Sequence, residues 1–244
     1  MAEKQSKNKW HTPAERIMML GFAAVILLGT ILLCLPVSAA DGKSVYWLDA
    51  LFTATTSVCV TGLVTVPTAT TWSTFGKIVI LGLIQFGGLG IMACLTMVFL
   101  ILRRKISLQS RKLIQDTYNL PVLKGSVGIV RKLLIGTAAV ELAGAFFYSF
   151  WFVPEYGFWK GIGYSLFHSV SAFCNAGIDL VGESSFAPFV TNPLINFTTM
   201  GLIFLSGLGF PVWWEVLERV QDLVKGKRTR KTSCVALRST PNWF

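Results

Sequence analysis

The string ALFTATTSVCVTGL, beginning at Ala50, returns as SLFHSVSAFCNAGI beginning at Ser165. Leu51, Phe52, Cys59 and Gly62 fall on Leu166, Phe167, Cys174 and Gly177 at a constant offset of 115. Downstream, the GLG of Gly88, Leu89 and Gly90 recurs at Gly207, Leu208 and Gly209, an offset of 119, as a short loop insertion would produce. Such a repeat constrains the fold more than any single segment, because both copies must be built as one kind of structural unit.

What surrounds each copy says which kind. Four apolar runs, 17–35, 75–102, 133–153 and 194–217, are long enough to cross about 30 Å of hydrocarbon as helices. The second and fourth run long enough to tilt or to extend past the bilayer. Between the members of each pair lies a shorter run, 45–54 and 162–173, carrying Asp49 and Thr53 or Ser165, His168, Ser169 and Ser171. A lipid-facing span would exclude those groups, so neither short run is a span. Only 14% of residues are charged against about 25% in a soluble domain. The basic KQSKNK followed by an apolar run and LPVSAA imitates a secretory signal. That run is about twice as long as a signal core, however, and reads as a transmembrane helix.

With both termini and the central loop on the cytoplasmic side, that side holds all of the 22 lysines and arginines except Lys43, Lys77 and Lys160. This asymmetry fits the positive-inside rule and explains the net charge of +10 through anionic lipid headgroups rather than nucleic acid. The segments follow: a cytoplasmic N-terminus at 1–15, a first span–loop–span repeat at 16–105, an amphipathic cytoplasmic connector at 106–125, a second repeat at 126–224, and a basic tail at 225–244. The expected fold is an all-α polytopic membrane protein of the cell membrane, with four transmembrane helices and two re-entrant pore helices.

A helix too short to cross, followed by a polar, glycine-bearing stretch, reads as a re-entrant loop. Irregular backbone at membrane depth survives only where protein or a water-filled path satisfies its N–H and C=O groups. Ion filters use this geometry, turning backbone carbonyls toward an axis where they replace a cation's hydration shell. Gly62 and Gly177 suit such loops because glycine reaches positive φ without a Cβ penalty.

These strings support a resemblance. DALFTATTSVCVTGL, LIQFGGLG, FHSVSAFCNAGID and SGLGFPVWWE are similar to the membrane subunit of bacterial Trk/Ktr potassium uptake systems, a superfamily shared with the plant HKT transporters. The likeness runs from about residue 12 to about residue 226. It implies four repeats around one pore with a filter glycine in each, Gly62 and Gly177 standing at two of those positions. It further implies that the backbone of Cys59, Val60 and Thr61 and of Cys174, Asn175 and Ala176 lines the ion path. The transported ion would be K+ or Na+, with no cofactor. A cytoplasmic nucleotide-binding regulatory subunit would meet the basic loops at 103–112 and 225–231. This sequence departs from the pattern in carrying two repeats, half of the pore. Closure would need a homodimer or a full-length subunit, and the alternative is a non-conducting fragment. Where a third repeat is expected, the sequence reads VALRSTPNWF, which suggests a frameshifted end of a longer transporter.

Single polar residues remain open to two readings each. Glu141, in AVELAGAFF, serves cation attraction or proton coupling, or bonds a facing pore-helix group. Asp179 raises cation concentration at the outer mouth or caps a helix or loop. Gln85 is placed to hydrogen-bond across helices. His168 is a satisfied packing residue or a pH sensor. FGGLG and SGLGFP kink the second spans or allow close packing. Five scattered cysteines form no metal-ligand spacing and read as small hydrophobes. No nucleophile–base pair is present either: Ser57 and Ser171 lack a base at matching depth, and the protein is not an enzyme.

Overall fold

The computed structural model describes residues 14–90, 126–182 and 185–209, together with positions 93, 212, 213 and 219. The amphipathic connector at 106–125, the basic loop at 103–112, the tail at 225–244 and residues 1–13 lie outside the described residues, as do most of 91–102 and 210–217. Residues 1–206 form one compact unit and 207–244 a second; the packing described below belongs to the first.

As the apolar runs predict, the described residues are helical, with no strand beyond an isolated bridge between Ala39 and Trp72. The helices are α1 (Ala14–Cys34), α2 (Trp47–Cys59), α3 (Thr68–Thr71), α4 (Thr74–Leu89), α5 (Ser126–Tyr156), α6 (Phe158–Phe173) and α7 (Pro193–Leu208). Their order repeats: a long apolar helix, a helix ending in the repeated string, and a third apolar helix. One described stretch, Val130–Tyr156 in α5, is by itself long and apolar enough to cross a bilayer; Met18–Cys34, Thr74–Leu89 and Pro193–Leu208 are apolar but shorter.

Both third helices stop sooner than their apolar runs. The α4 helix ends at Leu89, with Gly90 at φ +81°, and α7 ends at Leu208, with Gly209 at φ +77°. A glycine at positive φ breaks the helical bonding where the apolar pattern alone would carry it on, and helix is found again at Ala93 and at Val212 and Trp213. The GLG motif therefore interrupts the third helix at the same place in each half. At its other end, α4 is started by Ser73, whose side chain accepts the Gly76 N–H at 3.2 Å.

Among the described residues large apolar side chains face outward, while a set of polar groups lies buried beside an apolar core. Leu20, Leu27, Leu28 and Ile31 on α1, Leu142 and Phe146 on α5, and Phe197 and Phe204 on α7 are all exposed. The buried set instead includes Thr53, Thr56, Ser57, Glu141, Ser165, His168, Ser169 and Ser171. Lipid accepts apolar side chains on the outside and satisfies no polar group, so outward leucines and phenylalanines with buried hydroxyls are what a bilayer selects. Within the first half α1, α2 and α4 pack on one another; in the second, α5 packs along α6; α4 meets α6 and joins the halves.

Candidate functional site

The repeated strings begin inside helices. Thr55 to Cys59 were expected in the polar loop, yet α2 continues through Cys59. Hydroxyls permit this by bonding back along the helix: Thr55 Oγ1 donates to the Leu51 carbonyl at 2.7 Å and Ser57 Oγ to the Thr53 carbonyl at 2.6 Å. The second helix likewise starts earlier than the expected 162, at Phe158. Cys174 is buried, but Cys59 is exposed rather than packed inside.

Beyond the helices the two loops match residue for residue. The Thr61 N–H donates to the Thr56 carbonyl at 3.0 Å, and the Ala176 N–H to the Ser171 carbonyl at 2.8 Å. Val60 (φ +51°) and Asn175 (φ +58°) stand just before them in the left-handed region. A six-residue backbone bond closed over a left-handed residue is the Schellman way of ending a helix. Two residues on, Gly62 (φ +74°) and Gly177 (φ +68°) turn left-handed again. Every one of these pairs is related by the offset of 115.

Glycine alone was expected to adopt positive φ, so Val60 and Asn175 are an addition from the structure. Asn tolerates the left-handed region; a β-branched residue does so only under strain. Val60→Asn, which imports the second loop's residue, is expected to stabilise the protein by about 1 kcal/mol. A rise in unfolding temperature in lipid nanodiscs would show it, and a fall would mean that Val60 is held by something other than its turn.

A side-chain brace also recurs. The Leu63 N–H donates to Thr56 Oγ1 at 3.0 Å, and Thr56 Oγ1 shares a 2.6 Å hydrogen bond with Thr61 Oγ1. At the equivalent place Ser171 Oγ donates to the Ile178 carbonyl at 2.6 Å, so the polarity is reversed. The signal for this pair was present in the aligned strings as a hydroxyl in both copies, at 56 and 171.

The loops meet. A Cβ built on Gly62 would lie 2.6 Å from the Ala176 carbonyl oxygen and 3.4 Å from Gly177 Cα. The GG of LIQFGGLG makes this approach possible: a Cβ on Gly87 would collide with the Val58 backbone, and one on Gly88 with the Cys174 side chain. Bare backbone on α4 thus lets the ends of α2 and α6 converge. In front of the contact a cavity of about 410 Å³ is bounded by Gly62, Thr65, Thr68, Gly177, Asp179 and Ser185.

The remaining polar candidates fall in two places. Gln85 on α4 donates through Nε2 to both carboxylate oxygens of Glu141 on α5, at 3.0 and 3.1 Å, while Cys174 Sγ lies 3.8 Å from Gln85 Oε1. Ser169 Oγ on α6 donates to the Glu141 backbone carbonyl at 2.6 Å. Asp179 stands at the cavity, its carboxylate accepting the Val181 N–H at 2.9 Å and Ser185 Oγ–H at 2.6 Å. Among the described residues no cluster of His, Cys, Asp and Glu could hold a metal ion.

A cation transport protein family, TrkH, matches residues 6–234. The Potassium/sodium uptake protein NtpJ of Enterococcus hirae is 41% identical over 214 residues, which cover 88% of this chain and 47% of that protein. The Ktr system potassium uptake protein B of Bacillus subtilis is 39% identical over 218 residues, covering 88% and 48% respectively. Its namesake from Vibrio alginolyticus is 38% identical over 213 residues, covering 87% and 46%. The chain belongs to the TrkH family of cation transport proteins and is a membrane protein. It spans about half the length of the curated relatives it matches.

Proposed function

We propose that the chain forms part of a transmembrane path for a monovalent cation, K+ or Na+, and that the two loops are filter segments. Backbone carbonyls of Cys59, Val60, Thr61 and Gly62, and of Cys174, Asn175, Ala176 and Gly177, would replace the ion's water. The observation that carries this reading is the contact of Gly62 with Ala176 and Gly177. Two helix ends with the same left-handed positions converge there, at the edge of a polar-lined cavity. Irregular backbone converging deep in a membrane protein is tolerated where it lines a water-filled path.

Asp179, at the rim of the cavity, would raise the local cation concentration. The Gln85–Glu141 pair would act as a strut between the halves rather than as an ion ligand. Two loops supply part of a ring; the rest would come from a further pair of repeats or from a second copy, inserted in the cell membrane with both termini cytoplasmic. A cytoplasmic nucleotide-binding subunit is the proposed regulator, since three of the relatives bear the name of a Ktr system. The half-length match to the relatives also supports a second reading, in which the chain conducts only in association with a full-length subunit.

Potassium uptake in a deficient cell separates the two readings, comparing this chain alone with a four-repeat version. Equal uptake would remove the second reading. In the conducting assembly Gly177→Ser, where a Cβ meets nothing closer than 3.7 Å, is expected to lower K+/Na+ discrimination at least about tenfold, the equivalent of roughly 1.4 kcal/mol. Unchanged discrimination would exclude that loop from the filter.

A further inference from the structure

The second loop is a thin wall. Gly177, Ile178, Asp179 and Ser185 face the front cavity of about 410 Å³ and also a rear cavity of about 180 Å³ between the loop, α6 and α7. The side chains of Ile178 and Leu180 are buried and anchor the loop, but the backbone between them borders open space on both sides, so how its peptide groups are turned depends on hydrogen bonds to fixed groups. One such group is the Ser171 hydroxyl on the Ile178 carbonyl. The other is His168.

The His168 ring is 2% exposed and stacked on Phe152, with centroids 4.9 Å apart and planes 17° from parallel. Phe186 and Tyr164 flank it at 5.1 and 6.1 Å. Its two nitrogens have partners of opposite kind. Nδ1 lies 2.7 Å from the Tyr164 carbonyl, which can only accept, and Nε2 lies 3.1 Å from the Leu180 N–H, which can only donate. The ring is therefore neutral, with its proton on Nδ1 and its lone pair on Nε2 aimed at the loop. Aromatic packing fixes the ring, and the ring fixes Leu180. At the equivalent place in the first repeat the offset of 115 puts Thr53, so the device belongs to the second loop.

We propose that His168 is a positioning residue for the second loop. It holds the Gly177–Leu180 backbone against Gly62 through the Leu180 N–H and so sets the spacing of the carbonyls that face the ion. The proposal rests on the filter reading above, and one experiment distinguishes their failures. Hydrogen–deuterium exchange of residues 176–182 is followed in the purified full chain in lipid nanodiscs, in K+, in Na+ and in the impermeant cation N-methyl-D-glucamine, for the parent protein, His168→Gln and His168→Asn. The Gln amide reaches the Nε2 position and can accept from Leu180; the Asn amide stops at the Nδ1 position and cannot.

Exchange is expected to be slower in K+ than in Na+ for the parent. It should quicken about tenfold in His168→Asn with loss of the cation difference, and stay within about twofold of the parent in His168→Gln. Equal exchange in the Asn and Gln variants overturns the positioning role. A parent protein indifferent to K+, to Na+ and to N-methyl-D-glucamine alike overturns the filter reading beneath it. Should His168→Asn not accumulate in membranes, His168→Phe keeps a ring stacked on Phe152 and removes the acceptor for the Leu180 N–H. The same tenfold quickening is expected there, and unchanged exchange would again overturn the proposal.

Discussion

Gly62→Ala should unfold the protein far more readily than Gly177→Ala, although the two glycines are equivalent in the repeat. Both sit at positive φ, +74° and +68°, which costs any L-residue about 1–2 kcal/mol. Their surroundings differ. The new methyl at 62 would lie 2.6 Å from the Ala176 carbonyl oxygen, a backbone atom that cannot swing aside, whereas at 177 the nearest atom is Gly62 Cα at an ordinary 3.7 Å. The expected losses are about 3–5 kcal/mol at 62, in the range reserved for a clash in packed structure, and about 1–2 kcal/mol at 177. Thermal unfolding in lipid nanodiscs reads both. Equal losses would mean that the two loops do not touch as described.

Gln85→Leu carries the second large effect. Glu141 is only 6% exposed, and Gln85 donates to both of its oxygens. Taking away the amide leaves a buried carboxyl group without that donor, at an expected cost of about 2–4 kcal/mol. The double variant Gln85→Leu, Glu141→Leu removes the polar group along with its partner and should recover to within about 1 kcal/mol of the parent, since paired removal is nearly neutral where single removal is not. A double-mutant cycle measures the coupling directly. Additive losses from Gln85→Leu and Glu141→Leu would show that the pair is not a unit.

The helices were legible because their signals are local. The apolar runs placed α1, α4, α5 and α7, and the repeat placed α2 and α6 between them. Their ends were less legible. The threonines and serine of TTSVC looked like loop, because polar hydroxyls in an apolar chain suggest irregular backbone. Back-bonding to the carbonyls of Leu51 and Thr53 keeps them helical instead. Left-handed backbone at Val60 was hidden for a similar reason: sequence assigns positive φ to glycine, while the closing bond from Thr61 to Thr56 imposes it on whatever residue stands between.

By itself the sequence determined an all-helical membrane protein of a cation transport family and the two matching strings within it, because hydropathy, repeat spacing and glycine motifs are written along one chain. Only the tertiary structure decided that Gly62 touches Ala176, that Gly87 and Gly88 admit Val58 and Cys174, that Glu141 answers Gln85, and that His168 carries Leu180. Those are meetings between residues far apart in sequence. Repeat symmetry places equivalent atoms on equivalent helices, but the clearance between helices is set by packing, and packing differs between Gly62 and Gly177 even where the pattern is the same.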